Sequence, residues 1–142
     1  MPQEFGVFAR STEVLLVDDE PQLRKLLANL LSRDQSYHVM TASSGEEALD
    51  LSRNHSDRID ILITDINMGG MSGIELQRHI REERPETAVL LISSLAYRIG
   101  ESLPDCPVLP KPFMPGHFVA KVAEVLSASR SSGFRPSSIP SC

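Results

Sequence analysis

Acidic side chains follow two separate apolar runs of this sequence, at the point where each run ends. Asp18 and Asp19 come directly after the run 13–17, and Asp65 comes directly after the run 59–64. Carboxylates that share a pocket repel one another, and a hard divalent cation such as Mg²⁺ removes that repulsion by binding their oxygens. A carboxylate can also attack phosphorus as a nucleophile. These residues therefore predict a divalent-cation site that could support phosphoryl transfer.

Hydroxyl and amino groups end two later apolar runs. Ser93 and Ser94 directly follow the run 88–92, and Lys111 follows the run 106–109 with Pro110 between them. A lysine charge can bind one phosphate oxygen, and a hydroxyl can donate to another. Phosphoryl transfer depends on positioning and charge neutralisation more than on proton chemistry, so this set of groups suits it. The residues alone leave open which of the two serines faces the pocket.

The elements that must position these groups follow from the alternation of two patterns. Five short apolar runs, including 37–41, predict strands, and the segments between them carry helical signals. Pro21 opens a leucine-rich amphipathic stretch, and the pairs Ser44–Glu47 and Ser72–Glu75 indicate capping boxes. The alternation predicts an α/β fold, a doubly wound parallel sheet with right-handed crossovers. Such sheets bind ligands beyond the carboxyl ends of their strands.

One segment departs from this rhythm. Between Ser94 and Cys106 there is room for only a short helix, and Gly100 and Pro104 interrupt it. We therefore expect a shortened helix between the fourth and fifth strands. A last helix is expected to begin near Pro115.

Composition bounds the organisation of the chain. It has 142 residues, 41% of them apolar, with 14 basic and 19 acidic residues and a net charge of −5. We expect an N-terminal extension over 1–12, one domain over 13–128 and a flexible Ser/Pro-rich tail over 129–142. The acidic balance argues against direct binding to nucleic acid. No apolar run reaches the length of a membrane span and no secretory signal is visible, so a cytoplasmic protein is expected.

The motifs resemble those of a response-regulator receiver domain, the CheY-like phosphoacceptor of two-component signalling. The resemblance covers 13–126 and is carried by an acidic pair, a mid-chain aspartate, a strand-end hydroxyl and a Lys-Pro pair: Leu16–Glu20, Thr64–Met68, Ser72–Gly73, Ile92–Ser94 and Lys111–Phe113. It implies a flavodoxin-like (βα)5 sheet of strand order 2-1-3-4-5. It also implies a cis peptide bond between Lys111 and Pro112.

The resemblance further implies a role for each site residue. Asp65 is the phosphoacceptor. Mg²⁺ is bound by Asp19 and Asp65, by Asp18 directly or through water, and by the backbone carbonyl of Asn67. Ser93 is the switch hydroxyl that follows the phosphoryl group, and Lys111 pairs with a phosphate oxygen.

A signalling function follows from these roles. The implied partner is a histidine kinase or a histidine phosphotransfer protein, with an unknown output partner and a monomeric or weakly dimeric state. Gly69 and Val108 depart from the family pattern, which usually has a proline and an aromatic residue there. The short helix between the fourth and fifth strands also resembles that of receivers fused behind histidine kinases, so the chain could be part of a hybrid kinase.

Other interpretations remain beside this one. Asp18 and Asp19 could cap the first helix. The histidines His38, His55, His79 and His117 are interpreted as structural or solvated residues. The chain could act as a receiver-like adaptor without phosphorylation, or as a Mg²⁺-dependent phosphatase with an aspartyl nucleophile. The phosphatases of the haloacid dehalogenase type use Asp-x-Asp, which adjacent Asp18 and Asp19 do not match.

Overall fold

The structure, a computed structural model, describes residues 10–94 and 106–132. Strands and helices alternate along these residues. The strands are β1 (Thr12–Val17), β2 (Tyr37–Ala42), β3 (Ile61–Asp65), β4 (Ala88–Ser93) and β5 (Val108–Pro110), and the helices are α1 (Pro21–Ser32), α2 (Gly45–Arg53), α3 (Gly73–Glu83) and α4 (Pro115–Ser132).

The strands form one parallel sheet of order β2-β1-β3-β4-β5. This order confirms the flavodoxin-like arrangement that the resemblance implied. The shortened helix expected between Ser94 and Cys106 falls on residues 95–105, outside the described part of the chain.

Successive side chains along the strands pack into two separate apolar clusters, one on each face of the sheet. Val14 and Leu16 of β1 pack with α1 and α4, whereas Leu15 and Val17 pack with α2 and α3. All four are almost fully buried. Because successive strand residues point to opposite faces, helices on both faces explain why these strands are continuous apolar runs.

The helix starts follow the predicted signals, with one difference. Pro21 is the first residue of α1. Ser72 and Glu75 form a complete capping box at α3. At α2, Ser44 accepts a hydrogen bond from the backbone N–H of Glu47, but the Glu47 carboxylate accepts from the backbone and hydroxyl of Ser43. The predicted capping box of Ser44 and Glu47 is therefore only half formed.

Several element bounds differ from the sequence-based expectation. β3 begins at Ile61, two residues after the start of the predicted run, and just before it the Asp60 carboxylate accepts the backbone N–H of Glu13. The helix α4 continues to Ser132, past the expected end of the domain at residue 128. Arg130 explains part of this extension, since its guanidinium donates to the Thr12 hydroxyl at 2.9 Å and holds the end of α4 against β1.

Candidate functional site

Three carboxylates meet at the carboxyl edge of the sheet. Asp18 and Asp19 follow β1, and Asp65 is the last residue of β3, the strand that pairs with β1. One oxygen from each carboxylate lies within 4.8 Å of the others. Asp18 and Asp65 are buried, while Asp19 is exposed. The predicted acidic cluster is therefore assembled.

Lys111 brings a positive charge to the same place. Its Nζ lies 3.1 Å from Oδ2 of Asp65 and 4.0 Å from Oδ2 of Asp18. The residue directly follows β5, and its backbone N–H donates to the Ser93 carbonyl at 2.6 Å. The peptide bond between Lys111 and Pro112 is cis, as the resemblance implied.

The pKa of Asp18 is raised above its ordinary value. Burial of the carboxyl is the main cause, and the charges of Asp65 and Asp19 add to it. The backbone N–H of Glu20, which donates to Asp18 Oδ1 at 2.9 Å, and the Lys111 ammonium act in the opposite direction. Burial, more than the neighbouring carboxylates, therefore opposes ionisation of Asp18.

The buried oxygens of this pocket fit a bound cation. Oδ2 of Asp18 and Oδ1 of Asp65 are both buried and accept no hydrogen bond from the described residues. Buried polar atoms without a partner are costly and usually have a functional reason. Carboxylate oxygens on two neighbouring strand ends are the ligands that Mg²⁺ prefers.

The two serines at the end of β4 have different surroundings. Ser93 is buried, and its hydroxyl donates to the Ser94 carbonyl at 3.2 Å. Ser94 is half-buried, and its hydroxyl accepts from the side-chain amide of Asn67 at 3.3 Å. Asn67 lies two residues after Asp65, so this hydrogen bond joins the tips of β3 and β4 beside the acidic pocket.

Two further residues support the pocket: Arg24, which the sequence did not single out, and Gly73, which belongs to a motif of the family resemblance. Arg24 donates from Nη1 to the Asp18 carbonyl at 2.8 Å, which ties α1 to the end of β1. Gly73 begins α3, and its backbone N–H donates to the Ile66 carbonyl. A Cβ at Gly73 would lie 2.1 Å from the backbone oxygen of Asp65, so only glycine fits there. The sequence did hold a signal for Arg24, because it lies in the first turn of a helix that directly follows an acidic strand end.

Comparison with known proteins agrees with this geometry. Residues 14–102 match the response regulator receiver domain family. The transcriptional regulatory protein CpxR of Escherichia coli K12 is 34% identical over 120 residues, which cover 82% of this chain and 50% of that protein. The chain thus spans about half the length of the curated relatives it matches.

Two solved structures extend the comparison. The chemotaxis protein CheY4 of Vibrio cholerae has a TM-score of 0.69 at 29% identity and covers 81% of this chain and 98% of its own. The receiver domain of the hybrid histidine kinase CckA has a TM-score of 0.67 at 33% identity, covering 80% of this chain and 98% of its own. From its strand order, its strand-end residues and these matches, the chain belongs to the response regulator receiver domain family.

Proposed function

We propose that this chain is a phosphoacceptor signalling switch in which Asp65 accepts a phosphoryl group. The observation that carries the proposal is the convergence of three carboxylates and Lys111 from separate strand ends on one pocket. In the transfer, a carboxylate oxygen of Asp65 forms a bond to phosphorus while the bond from phosphorus to the donor nitrogen breaks. The donor imidazole keeps that electron pair.

Mg²⁺ would be held by Asp18, Asp19, Asp65 and the backbone carbonyl of Asn67. Bound there, it would supply positive charge beside the phosphoryl oxygens. The unpartnered buried oxygens of Asp18 and Asp65 support this assignment.

Lys111 and Ser93 would act on the phosphorylated state. The ammonium of Lys111 now contacts Asp65 Oδ2 and is in place to bind a phosphate oxygen once Asp65 is modified. The Ser93 hydroxyl now donates to a local carbonyl and is free to exchange that bond for a phosphoryl oxygen. Such an exchange would link the chemistry at β3 to the end of β4.

The donor would be a phosphohistidine on a histidine kinase or a histidine phosphotransfer protein, and the phosphorylated domain would change the binding of an output partner. We propose a domain from residue 13 to the end of α4, a monomeric or weakly dimeric state and a cytoplasmic location. None of the helices in the described ranges has the length and apolar character needed to cross a membrane.

The first test is covalent labelling with a small phosphodonor. Wild-type protein and Asp65→Asn are incubated with acetyl phosphate and Mg²⁺, and the intact mass is measured. We expect one phosphoryl group on the wild type and none on the variant. Labelling that persists in Asp65→Asn would remove Asp65 from the role.

The alternatives give different results in the same experiment. A receiver-like adaptor would show no labelling and no change with beryllofluoride and Mg²⁺. A phosphatase would show sustained turnover of a small phosphate ester. We expect neither result, and we expect hydrolysis of the acyl phosphate on Asp65 to be slow.

A further inference from the structure

A second cluster of polar side chains lies at the opposite edge of the sheet from Asp65. Glu13 near the start of β1 is in register with His38 near the start of β2. Both lie on the sheet face that packs with α2 and α3, because their neighbours Leu15 and Met40, two residues on, belong to that apolar cluster. His55 follows the end of α2 and meets Glu13 from the helix side.

One carboxylate oxygen is shared by both imidazoles. Oε1 of Glu13 lies 2.7 Å from Nδ1 of His38 and 3.6 Å from Nε2 of His55. The Glu13 and His55 side chains are only 14% and 18% exposed, whereas that of His38 is 59% exposed. Nε2 of His55 is itself buried and has no hydrogen-bond partner among the described residues.

The backbone around this cluster is held by other side chains. The Asp60 carboxylate accepts the backbone N–H of Glu13 at 2.8 Å, and Arg58 pairs with Asp60 at 2.7 Å. The Arg84 guanidinium donates to the carbonyls of Ser52 and His55, which fixes the turn after α2. Glu13 and His55 are therefore presented by ordered backbone, while the ring of His38 is exposed and contacts the Glu13 carboxylate.

Two imidazoles and one carboxylate are a set of ligands that suits borderline transition metals and not Mg²⁺. Zinc binds such groups at about 2.0–2.2 Å in a tetrahedral shell, which separates neighbouring ligand atoms by about 3.3 Å. The observed contacts of 2.7 and 3.6 Å lie on either side of that separation. We propose that Glu13, His38 and His55 form a binding site for a divalent transition-metal ion of the zinc class.

Rotation of His38 completes the site. Within the described ranges, Asp18, Asp19 and Asp65 form the only cluster of three His, Cys, Asp or Glu side chains whose ligand atoms already lie within 4.8 Å of one another. The His38 ring must therefore turn toward His55, which its exposure allows. The bound ion would join the starts of β1 and β2 to the end of α2, and it would stabilise the fold by mass action.

This site is separate from the proposed phosphoryl site. Glu13 and Asp18 lie five residues apart along β1 and its end, or about 17 Å at about 3.3 Å per residue. A test with Mg²⁺ in excess therefore keeps the acidic pocket supplied with its preferred ion while the second site is titrated.

The experiment is a ZnCl₂ titration of the full chain in excess MgCl₂, followed by NMR of the histidine ring nitrogens. We expect the ring signals of His38 and His55 to shift together with one equivalent of zinc, while those of His79 and His117 stay in place. Calorimetry gives the affinity in parallel. Shifts at His79 or His117 instead, or no shift at millimolar zinc, would overturn the proposal.

Variants test the ligand set. His55→Ala and His38→Gln should each weaken zinc binding at least about tenfold, the lower limit for losing an outer partner of a metal site. His117→Ala on α4 is the matched control and should leave the affinity unchanged. Equal affinity in all three variants would reject the site. If His55→Ala fails to fold, His38→Gln and the ring signals of the wild type still decide.

Discussion

The ammonium nitrogen of Lys111 lies 3.1 Å from Oδ2 of Asp65, although 46 residues separate the two in the chain. The same nitrogen is 4.0 Å from Oδ2 of Asp18. One cation thus faces two buried carboxylates, and the charge balance of the pocket depends on it.

Replacing Lys111 with methionine should destabilise the protein in the absence of divalent cations. The change leaves Asp18 and Asp65 buried without their cation, and we expect a loss of about 2 kcal/mol, less than for a fully buried pair because the lysine is 24% exposed. Urea unfolding in EDTA measures it. Mg²⁺ should restore part of the loss by supplying positive charge.

Lys121→Met is the control for that change. Lys121 pairs with Glu124 at 3.4 Å on the surface of α4, where such a pair contributes less than about 0.5 kcal/mol. An equal loss of stability in both lysine variants would mean that the Lys111 contact with the carboxylates contributes no more than a surface ion pair.

Replacing Asp18 with asparagine should stabilise the cation-free protein by about 1 kcal/mol at neutral pH, a common size for a single stabilising substitution. The raised pKa of Asp18 means that the folded state binds its proton more tightly than the unfolded chain does. Ionised Asp18 therefore lowers stability above its folded pKa. As pH falls through that value toward 3.8, the ordinary value, the difference between variant and wild type should disappear.

Thermal unfolding of both proteins in EDTA across this pH range measures the effect. Asp19→Asn is the comparison, because Asp19 is exposed. We expect Asp18→Asn to lose Mg²⁺ affinity as it gains stability. A wild type that remains the less stable protein at pH 3 would contradict the explanation.

Replacing Gly73 with alanine should strongly destabilise the fold. The added Cβ would meet the Asp65 carbonyl oxygen at 2.1 Å, so the start of α3 must move away from β3. We expect a loss of about 3 kcal/mol, the upper range for overpacking. Gly69→Ala is the matched control, since no atom lies within 4 Å of its added Cβ, and its stability should stay within about 0.5 kcal/mol of the wild type.

The hydrogen bond between Asn67 and Ser94 should lengthen the life of the phosphorylated state. It spans 3.3 Å beside the pocket, where we expect it to restrict the approach of water to Asp65. Removing it by Asn67→Ala or Ser94→Ala should speed loss of the phosphoryl group about fivefold, the equivalent of a hydrogen bond of about 1 kcal/mol. Intact mass spectrometry after removal of the phosphodonor gives the rates.

The double variant tests whether the two side chains act together. If they act through their mutual hydrogen bond, Asn67→Ala combined with Ser94→Ala should be no faster than either single change. Multiplied effects would show that each side chain acts alone.

The sequence predicted the sheet and the acidic pocket for a physical reason. Apolar runs that end in polar residues mark buried parallel strands, and all such strands end at one edge. The residues Asp18, Asp19, Asp65 and Lys111 were therefore certain to lie near one another once the strand order held. That order came from the family resemblance, because run lengths alone do not say which strands pair.

What the sequence did not predict depends on contacts between distant residues. Thr12 and Arg130 are 118 residues apart, and their hydrogen bond holds a helical turn in a serine-rich stretch that favours a flexible tail on composition. Glu13, His38 and His55 look like scattered surface residues until the register of β1 and β2 is known. No local sequence pattern predicts either of these contacts.

Within residues 10–94 and 106–132, the sheet separates two apolar layers that share no helix, one with α1 and α4 and the other with α2 and α3. Substitutions in different layers have few common neighbours, so their effects on stability should add. Such a chain can change the side chains of one layer without repacking the other. Its two helical surfaces are therefore free to diverge at different rates while the acids between them stay the same.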